Sequence, residues 1–197
     1  MIDLYSYTIE NIFQFLGVIF SFIYVVLSIR QNIWCWAALI VASLFNLYAY
    51  FLIHLPLQSI MQFFFIITGF YGWYKWRAKQ QNNILKVSSW SVKKHAVWIT
   101  TGLVITYLIS TGLVQFNNIT LLESHYPFLD ALMFIFNIIP MYLTGKKILE
   151  CWIYFIVIDI ISGVFYLQTG EFFFCFLFFC YIGFATKGYI TWKKEIT

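Results

Sequence analysis

The chain has 197 residues, of which 62% are hydrophobic and only 10% charged, with a formal net charge of +4. A soluble domain carries about a quarter charged residues, so this composition excludes a water-soluble globule and indicates one small integral membrane domain. Aromatic residues reach 23%, and the four cysteines (Cys35, Cys151, Cys175, Cys180) lack metal-binding spacing and read as buried packing residues.

In chain order, Asp3 and Glu10 precede the first apolar run without any cation. That is the wrong flank for a cleaved secretory signal, so the run is read as structure. Apolar runs lie at about 11–29, 33–53 and 57–76. The polar, basic stretch 77–95 follows, read as a solvated loop against phospholipid headgroups. The run at about 96–114 has only Thr100, Thr101, Thr106 and Ser110 as polar features and reads as a linker helix. Asn118-Ile119-Thr120 is a glycosylation sequon only on a eukaryotic secretory route. Three more runs lie at about 127–145, 148–168 and 172–192. Each is long enough, or nearly so, to cross about 30 Å of hydrocarbon as a helix of roughly 20 residues. The expected fold is an all-α integral membrane protein with seven transmembrane helices.

Placing the charges orients the spans. Every Lys and Arg falls at Arg30, Lys75 to Lys94, Lys146-Lys147 or Lys187 to Lys194. With the N-terminus outside and the C-terminus cytoplasmic, all these cations lie inside, and Asp3, Glu10, Glu123 and Glu171 lie outside.

The chain also repeats itself without a gap. At a shift of 116 positions, Cys151-Trp152 falls on Cys35-Trp36, Tyr166 on Tyr50, Gly188 on Gly72 and Trp192 on Trp76. A fixed-period repeat sets an architecture. Repeat 1 covers about 11–76 and repeat 2 about 127–192, with the span at 96–114 between them. The inserted span makes the two triplets parallel, a three-plus-one-plus-three plan known among transporters, with the substrate site between the repeats.

Polar side chains inside hydrocarbon are costly and mark an interior. They form stripes at helical spacing: Gln14, Gly17, Ser21, Tyr24 and Ser28; Trp36, Ser43 and Tyr50; Gln58, Gln62, Gly69 and Trp73; Asp130, Asn137, Met141 and Thr144; and Trp152, Asp159 and Tyr166 beside Phe155. Asp159 is the deepest acid, and reads either as a ligand for something positive or as a protonated structural group. Asp130 is shallower, with capping after Pro127 as the alternative to substrate contact. Trp36 and Trp152 read as cavity walls or as an interfacial belt, and Gln62 as a binding group or an interhelical hydrogen-bonding one. There is no phosphate-cradling glycine loop, no metal cluster, and no Ser–His–Asp set, since His54, His95 and His125 sit at membrane edges or in loops. No enzyme, cofactor or nucleic-acid partner is expected. Aromatics with a few amides and acids suit a flat ring compound, neutral to cationic.

Three stretches carry a family resemblance: Tyr71-Gly72-Trp73-Tyr74-Lys75-Trp76, Tyr126-Pro127-Phe128-Leu129-Asp130, and Trp152 opening the sixth span. In these the chain resembles, over essentially its whole length, the nicotinamide riboside transporters of the PnuC family. The resemblance implies facilitated vitamin uptake across a bacterial inner membrane, a fold related to the SWEET sugar transporters, trapping of substrate by a cytoplasmic kinase, and a homotrimer as an oligomeric form. It also implies a site including Gln62, the aromatic positions of the sixth span, and Asp159. The chain departs from the family pattern at Phe155, where a second Trp is usual, and at Gly69 and Lys187, where amides are often seen. Fewer amides fit a less hydroxylated cationic vitamin, so thiamine is favoured, with nicotinamide riboside as the alternative and riboflavin carried by relatives. A competing class is a non-transporting membrane subunit whose polar stripes are packing contacts.

Overall fold

The computed structural model describes residues 2–52, 56–78, 85–115, 126–168, 170 and 172–196. Within these, it describes only the backbone of 2–11, 14, 49–52, 56–57, 78 and 173–174. Gln14, Tyr50 and the sequon at Asn118 therefore lie outside the described side chains. The described chain is helical: α1 (Ile2–Ile29), α2 (Trp34–Leu52), α3 (Pro56–Ala78), α4 (Val92–Gln115), α5 (Pro127–Gly145), α6 (Cys151–Gln168) and α7 (Phe172–Lys193). Among the described residues, α4, α5 and α6 are long and apolar enough to cross a membrane, and the stretches Phe15–Ile29 and Trp34–Tyr48 are shorter apolar helices.

Neighbouring helices close a ring. α1 packs on α2, α2 on α3, α3 on α5, α5 on α6, α6 on α7, and α7 back on α1, with α4 packed outside on α5 alone. The C-terminal ends of α1, α3, α5 and α7 meet: the indole N–H of Trp76 donates to Gly145 O at 3.2 Å, and that of Trp192 to Ser28 O and Ile29 O at 3.3 and 3.2 Å. Those four helices are thus parallel, and α2 and α6 run against them. The meeting end is the one bearing the cations.

Positions 116 apart make matching contacts there. α1 ends with Gln31 at φ 53° and α5 with Lys147 at φ 52°, the left-handed position that closes a helix. Asn32 N donates to Leu27 O (2.9 Å) and Gln31 N to Ser28 O (3.0 Å). Ile148 N donates to Leu143 O and Lys147 N to Thr144 O, both at 3.0 Å. This paired carbonyl capping satisfies helix ends that hydrocarbon could not. Each reversal sends the chain straight back down the bundle through buried Cys35-Trp36 or Cys151-Trp152. Cys35, Cys151 and Cys175 are buried, Cys180 is half-buried, and all four are free thiols.

Of the stretch 77–95, residues 79–84 lie outside the described residues, and the segment from 85 on is exposed as expected at most of its polar positions but rests on the bundle. Val87 is buried, Leu85 and Trp90 pack on the core, and Ser88 bridges Ile148 as an isolated β-pair. α4 begins at Val92, four residues ahead of the expected 96. Backbone pairing to the turn after α5 holds this segment against the bundle, with Val87 turned inward while Lys86, Ser88 and Ser89 stay exposed; hydropathy does not register such pairing.

Candidate functional site

Four tryptophans close the cation-bearing end. Trp36 meets Trp76 edge-on at 5.2 Å and 85°, and Trp152 meets Trp192 at 5.3 Å and 87°. Trp76 and Trp192 join the two pairs at 6.4 Å. Glycine makes room for this, because Gly72 lies directly against the Trp36 ring, and a Cβ on Gly188 would sit 2.6 Å from Trp152 ring atoms. Tyr24 is buried against Trp36 (6.2 Å) and donates its hydroxyl to Met141 Sδ across the interface at 3.1 Å. Trp36 and Trp152 are therefore not a belt at the lipid surface: both are buried, and with Trp76 and Trp192 they form a tryptophan plug. Among the described residues their indole N–H groups have no hydrogen-bond partner, nor does the buried hydroxyl of Ser43.

Lys147 is the one cation drawn into this plug among the described residues. Its ammonium donates to Gln31 Oε1 at 2.7 Å, linking the two equivalent positions, and lies 4.7 Å from the Trp76 ring centroid. Burial pulls its pKa below the ordinary lysine value.

Two turns further along α6, about 10 Å at 1.5 Å per residue, Asp159 is buried at 6% exposure, with Ser162 one turn beyond at 1%. Ser43 holds the position on α2 equivalent to Asp159 and is equally buried. Gln62 on α3 is 4% exposed. Among the described residues no hydrogen bond or ion pair reaches Asp159 or Gln62. Both point into the bundle rather than at lipid.

The other expected residues are dispersed. Asn137 is half-buried and its amide donates to Met133 O of its own helix at 2.7 Å. Asp130, also half-buried, sits in the first turn of α5 and has an interaction partner. Phe155 packs 6.2 Å from Trp152, and Tyr166 stacks on Phe178 at 5.5 Å and 11°. Trp73 is half-buried, packs on the core and meets the exposed Trp34 edge-on at 5.2 Å at the cation-bearing end.

One cluster went unread in the sequence. The Glu150 carboxylate accepts from Ser89 Oγ and, at 3.3 Å, from Trp90 N, and lies 3.5 Å from His95 Nε2. His95 Nδ1 shares a hydrogen bond with Tyr154 OH at 3.1 Å. The 55 or so residues between its members conceal such a cluster from any spacing rule.

Seven helices, a tryptophan cluster at the cation-bearing end and polar groups buried among apolar ones define an all-helical bundle of membrane-spanning character. The profile of the family described as "Nicotinamide mononucleotide transporter" matches residues 11–194, and the chain belongs to that family. The nicotinamide riboside transporter PnuC of Escherichia coli is 26% identical over 153 residues, covering 67% of this chain but only 64% of that relative's length. The riboflavin/roseoflavin transporter RibM of Streptomyces davaonensis is 27% identical over 153 residues, covering 74% of this chain and 68% of the relative. Among solved structures, the vitamin B3 transporter PnuC superposes with a TM-score of 0.74 over 98% of this chain and 91% of that one, at 15% identity. The fold is therefore shared across the whole described bundle.

Proposed function

We propose that this protein is a membrane transporter for a small aromatic vitamin, with nicotinamide riboside as the first candidate. The observation that carries the reading is Asp159: a carboxyl group buried in the apolar interior, with no protein partner among the described residues. An isolated buried charge is expensive, and a cationic ring entering beside it would supply the missing partner while stacking on nearby aromatics. Nicotinamide riboside brings a pyridinium and hydroxyls for Gln62. The departures at Phe155, Gly69 and Lys187 favour thiamine when read from sequence. The named relatives carry nicotinamide riboside and riboflavin instead, so thiamine yields first place.

In this reading the chamber lies around Asp159, Gln62, Asn137 and Tyr166, with Gln14 and Asp130 toward its mouth. Trp36, Trp152 and Phe155 form its floor, and Trp73 flanks the cation-bearing end. The three-plus-one-plus-three plan, related to the SWEET transporters, lets the halves rock around the bound ring. Transport is facilitated diffusion, consistent with a chain that lacks a nucleotide-binding glycine loop. The cation-bearing end faces the cytoplasm of a bacterial cell, where a kinase traps the cargo, and trimers are a natural assembly for the lipid-facing surfaces.

The test is uptake into proteoliposomes of labelled nicotinamide riboside, thiamine and riboflavin, side by side and without ATP. Nicotinamide riboside flux well above that of protein-free liposomes is expected, with Asp159→Asn bringing it to background. Background flux of all three compounds would leave the non-transporting subunit as the better reading.

A further inference from the structure

The two helix reversals at the sealed end match in backbone and differ in support. Lys146 to Glu150, between α5 and α6, is clamped from outside. Ser88 N donates to Lys147 O at 3.0 Å and Leu149 N to Ser88 O at 2.9 Å. Glu150 ties the same turn to Ser89 and to Trp90 N (3.3 Å), and approaches His95 Nε2 at 3.5 Å. The Lys146 ammonium lies over the rings of Tyr142 (4.6 Å) and Trp90 (5.9 Å). Among the described residues, the reversal between α1 and α2 has no such outside strand or carboxylate clamp. Arg30, Asn32 and Trp34 are exposed, and Trp34, which takes the position equivalent to Glu150, offers an indole where the other turn offers a carboxylate.

We propose that the segment from Leu85 to His95 is a one-sided brace, with Glu150 as its positioning residue, so that opening of the tryptophan plug bends the α1–α2 reversal and leaves the α5–α6 reversal fixed. This rests on the transporter reading only in supposing that the plug opens. Physically, a turn must shed its tertiary hydrogen bonds before it can deform. The indole bonds at the two helix ends match, Trp192 to Ser28 O and Ile29 O against Trp76 to Gly145 O, and Gln31 to Lys147 is shared, so they favour neither turn. Beyond these the second turn would lose two backbone bonds and a charge-assisted set around Glu150, whereas the first would lose the ring contact of Trp34 with Trp73. The energetically cheaper motion is therefore confined to one half.

Two native probes report on this directly. Cys35 and Cys151 occupy equivalent positions immediately after the two reversals, and each has 0% exposure, so neither reacts until its own turn parts from its neighbours. The purified full-length protein in lipid nanodiscs is treated with N-ethylmaleimide, and labelling of each thiol is followed by mass spectrometry, with each rate divided by that of the same thiol in the denatured chain. Cys35 is expected to label at least about tenfold faster than Cys151, the ratio that one charge-assisted hydrogen bond sets. Glu150→Gln combined with Ser89→Ala should bring Cys151 up to the Cys35 rate and leave Cys35 unchanged. Ser89→Ala alone should move it part of the way, and serves if the double variant does not fold. Equal labelling in the unaltered protein overturns the proposal, as does a Cys151 rate indifferent to the variants, or no labelling of either thiol. No substrate enters the measurement. A protein that labels as expected yet transports nothing would sink the transport reading and leave the brace standing.

Discussion

Gly188 offers a direct test of the sealed end. Replacing it by Ala places a Cβ 2.6 Å from Cδ2, Cε2 and Cε3 of Trp152, about 1 Å inside the optimal carbon contact of 3.5–4.0 Å. The ring cannot retreat easily, because Trp192 meets it edge-on at 5.3 Å and Trp152 itself is only 3% exposed. α7 must therefore shift, at the usual overpacking cost of about 1–3 kcal/mol. Gly183 on the same helix provides the reference, since a Cβ there meets nothing within 4 Å. Both substitutions gain the same intrinsic helix propensity of about 1 kcal/mol, so the gain cancels between them. At about 2–4 °C per kcal/mol for a chain of this size, Gly188→Ala should melt roughly 2–12 °C below Gly183→Ala. Unfolding in a single detergent, followed by tryptophan fluorescence, measures the gap. Gly72→Ala should show the same deficit through Trp36. A Gly188→Ala protein as stable as Gly183→Ala would refute the packing that the plug requires.

Asp159→Asn and Gln62→Ala should abolish thermal stabilisation by added nicotinamide riboside and leave the melting temperature without ligand nearly unchanged; an equal loss with and without ligand would mark both as packing groups. Trp76→Phe and Trp192→Phe each remove a buried indole donor to a carbonyl of the opposite triplet, so each should cost about 1–3 kcal/mol, and a double variant should depart from additivity because the rings meet. Burial lowers the Lys147 pKa in the folded chain from 10.5. The unfolded chain then holds more protons between the lowered value and 10.5, and stability from this group rises with pH across that alkaline window. Lys147→Gln should flatten that rise, and melting temperatures of the two proteins across the window decide it.

The seven helices were legible because long apolar runs leave few other folds, and the cations gather at one end of the bundle. The Trp and Gly agreements at a shift of 116 were legible for a steric reason now visible: each ring fills the space its glycine leaves. Whether Trp36 and Trp152 lay in an interfacial belt or inside the bundle was not legible, since the answer lay in Trp76 and Trp192 arriving from other helices. Trp73 had the right helical spacing for the interior and packs on the core half-buried, while its edge-on contact with Trp34 could not be read from spacing. Asp159 and Gln62 were legible as buried because a polar group facing lipid would be too costly. The clamp on Glu150 was hidden because Ser89, Trp90 and His95 look like any polar loop until a β-bridge pulls them in.

The link between Gln31 and Lys147 bears on how alike the two halves can be. These residues answer to one another along the chain and touch face to face, so any side chain shared by both would meet its own copy. Two lysines there would set ammonium against ammonium, and two glutamines would forgo the charge. A bundle assembled from a pair of identical second halves would be pushed apart at that point, which makes unlikeness at this one spot a condition of the tight seam between them.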